Sequence, residues 1–139
     1  MGVFSVGGRL KAHDEVDIPE VLSELAAMFD LYEKALISND IETLNNLFWE
    51  SASTVRYGTR EFERQYGHEA IAAFRVQRGA VNQLRTLTNQ RITTFGPDFG
   101  ITNTEFKSAG SEKIGRQSQT WVRTENGWKI ASAHVSFGL

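Results

Sequence analysis

The dipeptide Asn126-Gly127 sits between two runs of alternating residues, "GRQSQTWVRTE" over 115–125 and "GWKIASAHVSF" over 127–137. Asn-Gly in this setting is a strong hairpin signal, and a two-residue turn fixes a register. With Asn126 and Gly127 as the turn, Glu125 faces Trp128, Arg123 faces Ile130 and Trp121 faces Ser132. Gln119 then faces His134, and Gln117 faces Ser136. Side chains alternate along a strand, so all of these are expected on one face. That face grades from tryptophan near the turn to hydrogen-bonding side chains farther along. The opposite face carries Val122, Thr120 and Ser118 against Ala131, Ala133 and Val135. Two readings stand at this point. The polar face is solvated over a buried Ala/Val face, or it is a wall packed at one end that lines a pocket at the other.

The residues upstream supply what such a hairpin packs against. Pro19 behind Asp17-Ile18 predicts a helix start with an acidic cap. Val21, Leu22, Leu25, Met28, Phe29, Tyr32, Ala35 and Leu36 then recur at helical spacing. Asn39-Asp40 ends that helix and caps a second, whose apolar face is Ile41, Leu44, Leu47 and Phe48. "STVRYG" predicts a short strand, "TREFERQYG" a polar loop, and "HEAIAAFRVQRG" a third helix that buries Ile71 and Phe74. "LRTLTNQRITTFG" and "GITNTEFKS" are two more strands, joined by a turn at Gly96-Pro97-Asp98.

Helices segregated from a run of antiparallel strands predict an α+β domain. Three N-terminal helices pack on a strongly curved antiparallel sheet wrapped around the long first helix. The result is a cone whose open end is a pocket. A chain of 139 residues suits one such domain, over 18–139, behind an arm at 1–17. The sheet face carrying Val122, Ala131, Ala133 and Val135 predicts a homodimer packed through the sheets.

Composition removes several chemistries. The chain has no cysteine, which excludes thiol nucleophiles and thiolate metal sites and fits a reducing, cytoplasmic compartment. A formal net charge of -2 without a basic stripe argues against a nucleic-acid partner. No stretch approaches the roughly 18 apolar residues of a membrane span. The histidines and acids lack metal-ligand spacing, and neither a glycine-rich phosphate loop nor a G-x-S-x-G elbow is present. No metal or cofactor is expected.

The candidates left are few. Tyr32 lies on the apolar stripe of the first helix, and a buried tyrosine hydroxyl needs a partner. Arg56 lies between β-formers in "TVRYG". Pointed inward, it needs an anion, and a substrate carboxylate would serve. Arg75 and Arg78 flank the face of Phe74 on the third helix, and Arg75 is a candidate to bind the same substrate. Arg85 and Arg91 are expected on one face of the next strand. Gln117, Gln119 and His134 complete the candidate binding set.

The words "YEKALISND", "LFWE", "TVRYG", "YGHEAIAAFR", "RTLTNQRITTFGPDFGITNTEF", "GRQSQTWVR" and "GWKIASAHVS" run from about residue 20 to the end. Together they resemble the AtzH-like (HpxZ-like) family of the nuclear-transport-factor-two-like superfamily. The resemblance implies a cone-shaped cystatin-like fold and a small homodimer encoded beside ureide amidases. It implies a decarboxylating amidohydrolase step, 1,3-dicarboxyurea to allophanate, in cyanuric acid or oxalurate catabolism. The residues implicated in that step fall on Tyr32 and Arg56. A non-catalytic protein that holds a ligand, or serves a partner amidase, is the competing expectation, because one fold hosts both roles.

Overall fold

The computed structural model describes residues 15–79 and 84–138. Helix α1 (Pro19–Ser38) buries Val21, Leu25, Phe29, Tyr32, Ala35 and Leu36, as its spacing predicts. Its acidic cap is not formed: Ile18 holds the N-cap position without a side-chain hydrogen bond. Asp17 instead takes a positive φ of 56° and accepts the Thr94 amide at 2.9 Å, which ties the chain to a strand edge. Of the arm expected over 1–17, residues 1–14 lie outside the described residues, and Val16 bridges to Phe95. At its other end α1 stops on Asn39 in the left-handed region, where an asparagine is tolerated. Asp40 then caps α2 (Ile41–Leu47) by accepting the Thr43 amide. Helix α3 (His68–Arg78) buries Ile71 and, in place of the expected Phe74, Arg75.

Six strands follow the order β2-β1-β6-β5-β4-β3. They are β1 (Val55–Tyr57), β2 (Arg64–Tyr66), β3 (Arg85–Phe95), β4 (Phe99–Ser108), β5 (Gly115–Thr124) and β6 (Gly127–Phe137). Only β1 and β6 run parallel; every other pair is antiparallel. β2 falls in the segment expected as a polar loop. It is a three-residue edge strand held by backbone pairing to β1, and its Arg-Gln-Tyr sequence carries no hydrophobic alternation to announce it.

The hairpin differs from its predicted register, and the difference matters. Thr124 pairs with Gly127 and Arg123 with Trp128, so Glu125 and Asn126 form the loop. Only Gly127 takes positive φ there, whereas the turn expected of Asn-Gly needs it at both central residues. Trp121 pairs with Ile130, and then the register shifts, so that Ala131 is bulged out and Thr120 pairs with Ser132. One extra residue flips every side chain beyond it to the other face. Gln119 therefore pairs with Ala133 and Gln117 with Val135, while His134 pairs with Ser118 and Ser136 with Arg116. The apolar patch expected on the convex face dissolves: Ala133 is buried at 7 % exposure on the side of Gln119. β3 has a comparable irregularity at Asn89-Gln90, so Arg85 and Arg91 do not share a face.

The core lies at the closed end of the cone, where Val21 and Leu25 pack with Trp121, Trp128 and Ile130.

Candidate functional site

Past the tryptophans, the concave side opens into a cavity of about 410 Å³. α1 contributes Tyr32 and Leu36, α3 contributes Arg75 and Arg78, and β1 contributes Arg56. β3 to β6 add Arg85, Phe106, Gln117, Gln119 and Ala133. Five of the six predicted site residues thus meet at one place and are buried: Tyr32, Arg56, Arg75, Gln117 and Gln119. His134 borders the same cavity but is exposed, because the bulge puts it on the opposite register face. There its ring meets the edge of Tyr57, 5.5 Å between centroids. The expected pairing of Gln119 with His134 is not formed.

The arginines divide into two kinds. Arg85 is neutralised: its Nε and Nη2 each donate to a Glu33 carboxylate oxygen at 2.6 Å. Its guanidinium also lies 4.3 Å from the centroid of the Phe106 ring. Arg56, Arg75 and Arg78 have no carboxylate within ion-pair distance among the described residues. Arg56 Nη1 donates to the neutral Oε1 of Gln65, directly across on β2, at 2.9 Å. Its guanidinium lies 4.4 Å from the Phe74 ring centroid. Burial, and then the charge of Arg75, push the Arg56 pKa down to about 10. It remains a cation at neutral pH, at the cost of desolvation and like-charge repulsion. Arg75 is only 2 % exposed, and both its Nε and its Nη2 lack a partner. Glu63 also lines the cavity, but pairs with Arg60 at 3.9 Å.

The polar side chains are held by two hydrogen-bond chains. Arg85 Nη2 donates to Gln117 Oε1 at 3.1 Å. Trp121 Nε1 donates to Thr102 Oγ1, which donates to Gln119 Oε1, both at 3.0 Å. The amide nitrogens of Gln117 and Gln119 are buried without partners. Tyr32 packs its ring 6.3 Å from that of Phe48 and lines the cavity together with Arg56 and Arg78.

Sequence reasoning did not single out Glu33 or Thr102. The Glu33 signal is absent locally, since its partner lies 52 positions away. Thr102 was findable: Gly100, Thr102, Thr104 and Phe106 alternate onto one face of β4, opposite Trp121, Gln119, Gln117 and Gly115. No cluster of histidine and acidic side chains suited to a metal ion occurs among the described residues. No described helix is long and apolar enough to cross a membrane.

A protein of unknown function from Pectobacterium atrosepticum superposes on 94 % of this chain and all of its own, at TM-score 0.87 and 46 % identity. A cystatin-like fold protein from Burkholderia xenovorans covers 89 % of this chain and 96 % of its own, at TM-score 0.84 and 46 % identity. A nuclear-transport-factor-two-like protein from Pseudomonas putida, 14 % identical, matches over 84 % of this chain and 86 % of its own at TM-score 0.72, which establishes the fold alone. No curated protein matches the chain. The model of the AtzH-like family matches residues 14–138, and the chain belongs to that family.

Proposed function

We propose that the cavity binds a small carboxylated urea and removes one carboxylate from it, converting 1,3-dicarboxyurea to allophanate. The observation that carries this reading is the charge of the cavity: Arg56 and Arg75 are buried around one small volume, the exposed Arg78 lines it with them, and none of the three has a carboxylate within ion-pair distance among the described residues. Buried cations of this kind are costly unless an anion joins them. A dianion with a planar centre meets that demand, and an arginine fork holds a carboxylate through two parallel hydrogen bonds.

The chemistry balances without further reagents. One carbamate C–N bond breaks, the carboxylate leaves as carbon dioxide, and the electron pair stays on nitrogen. That nitrogen takes a proton, for which the Tyr32 hydroxyl is the candidate donor. The phenolate left behind shares the cavity with the cations of Arg56 and Arg78, and solvent returns the proton. Arg56 holds the carboxylate that is retained.

The proposal includes a homodimer. The convex face lost its Ala/Val patch to the bulge, but Tyr57, Tyr66 and Phe99 remain 37–59 % exposed there. A monomer mass at micromolar concentration would remove this part of the proposal.

The test is turnover of 1,3-dicarboxyurea, followed as released carbon dioxide, by wild type and by Tyr32→Phe, with thermal melts of both. The substitution keeps the ring against Phe48 and removes only the proton donor. Turnover is expected to fall by roughly 10²–10⁴, the size of a lost acid–base contribution, at an unchanged melting temperature. Equal rates would take Tyr32 out of the mechanism. No turnover by wild type, alone or with a ureide amidase, would favour a ligand-holding accessory protein.

A further inference from the structure

Six buried side-chain polar atoms lack a hydrogen-bond partner among the described residues, and four of them belong to this cavity: Arg75 Nε and Nη2, Gln117 Nε2 and Gln119 Nε2. All four are donors. The other two, on Asn45 and Thr94, lie outside it. Buried polar groups are nearly always paired, so four donors left over in one place call for acceptors from a ligand.

The Gln117 orientation is fixed by the chemistry of its partner, and that of Gln119 follows the hydrogen bond it accepts from Thr102. A guanidinium can only donate. The Gln117 atom facing Arg85 Nη2 is therefore the carbonyl oxygen, and its NH₂ group is the end left free. An indole N–H likewise can only donate. Thr102 Oγ1 accepts from Trp121 and donates its own proton to Gln119 Oε1, which leaves the Gln119 NH₂ free. The remaining pair, Nε and Nη2 of Arg75, is the same edge of the guanidinium with which Arg85 grips Glu33. In Arg85 the protein fills that fork with its own carboxylate. In Arg75 it does not.

We infer that Arg75, Gln117 and Gln119 form a donor-only recess that admits a second carboxylate of the ligand and excludes a terminal amide. This inference deepens the proposed function and rests on its reading of the cavity. A carboxylate offers only acceptors to the four donors. An amide brings its own NH₂ against them, leaving donors opposed to donors and buried charge unpaired. Sites that depend on hydrogen bonds to buried groups reject a mismatched ligand strongly for this reason. The recess therefore separates substrate from product: loss of a carboxylate from a dicarboxyurea leaves an NH₂ terminus, which the recess does not hold.

Glutarate and its monoamide glutaramate isolate this effect, because both have the three-atom spacer of a dicarboxyurea and neither can be decarboxylated by the proposed route. Titration calorimetry is expected to give glutarate a roughly ten- to hundredfold lower Kd, the size of a charged hydrogen bond gained or lost. Arg75→Lys keeps the charge but loses the fork, and Gln119→Glu replaces a donor by an acceptor. Each is expected to erase most of the preference at a melting temperature near that of wild type. Should Gln119→Glu fail to fold, Arg75→Lys still decides. Equal affinities for the two ligands, binding of neither at millimolar concentration, or an unchanged preference in Arg75→Lys would each overturn the inference. The two proposals fail separately. Glutarate preference without turnover of 1,3-dicarboxyurea sinks the enzymatic reading alone, and turnover without the preference sinks the recess alone.

Discussion

Arg85 and Arg75 line one cavity from opposite elements, yet they hold different kinds of charge. Arg85, on β3, closes its fork on Glu33 of α1 and rests on Phe106, so its cation is spent inside the fold. Arg75, on α3, sits 5.7 Å from the Phe48 ring centroid with its equivalent fork unfilled. The first arrangement is a strut between helix and sheet. The second is a stored demand for an anion. A buried guanidinium with its carboxylate in place fixes structure, whereas one without it is a feature that folding alone would not retain.

The comparison makes opposite predictions for the two sides. The largest effect is expected from Glu33→Gln, which strands the Arg85 cation. Breaking a buried pair by removing one partner costs about 3–5 kcal/mol, and chemical denaturation should show a loss of that order. A loss below about 1 kcal/mol would place Arg85 among ordinary surface cations and dissolve the contrast.

Arg75→Met is the mirror experiment. Removing an unpaired buried charge should leave the melting temperature unchanged or raise it, while weakening glutarate roughly ten- to hundredfold. A destabilised protein with intact glutarate binding would make Arg75 the strut instead.

Gly115→Ala sharpens the Arg85 side. A Cβ at Gly115 would stand 2.1 Å from the Phe106 ring, the platform beneath Arg85. Overpacking of this kind typically costs about 1–3 kcal/mol, and unchanged stability would show that Phe106 gives way freely.

The smallest effect is that of pH. The Arg56 pKa lies at about 10, so the cation persists through neutrality. Glutarate affinity should be flat from about pH 7 to 9. Above about 10 it should weaken by up to tenfold per unit, as binding comes to require proton uptake. A decline that begins near pH 7 would point to a titrating group other than Arg56.

Much of this was legible in the linear chain. The apolar stripe of α1, the Asn39-Asp40 junction, α3 and the four long strands follow from spacing and turn chemistry. Tyr32 and Arg56 stood out as polar groups in apolar contexts, and both meet in the cavity. The predicted hairpin has the correct faces near its turn and the wrong ones beyond it. Trp121, Trp128 and Ile130 share the core side as expected, because the shift there is an even number of residues. The bulge at Ala131 then reversed the parity, and His134 left the face of Gln119. Nothing in "KIASAH" marks that bulge, since alanine and serine fit either side of a sheet.

The sequence by itself determined the elements, their order and the absence of thiol chemistry, because these depend on residue type and near neighbours. It also placed an arginine and a tyrosine where an inward face was expected. The tertiary structure alone decided which arginines are satisfied. Glu33 reaches Arg85 across 52 positions, and Trp121 is linked to Gln119 through Thr102 of the neighbouring strand. Hydrogen-bond satisfaction is a property of distance in space, so four free donors in one recess become visible only when every partner has been placed.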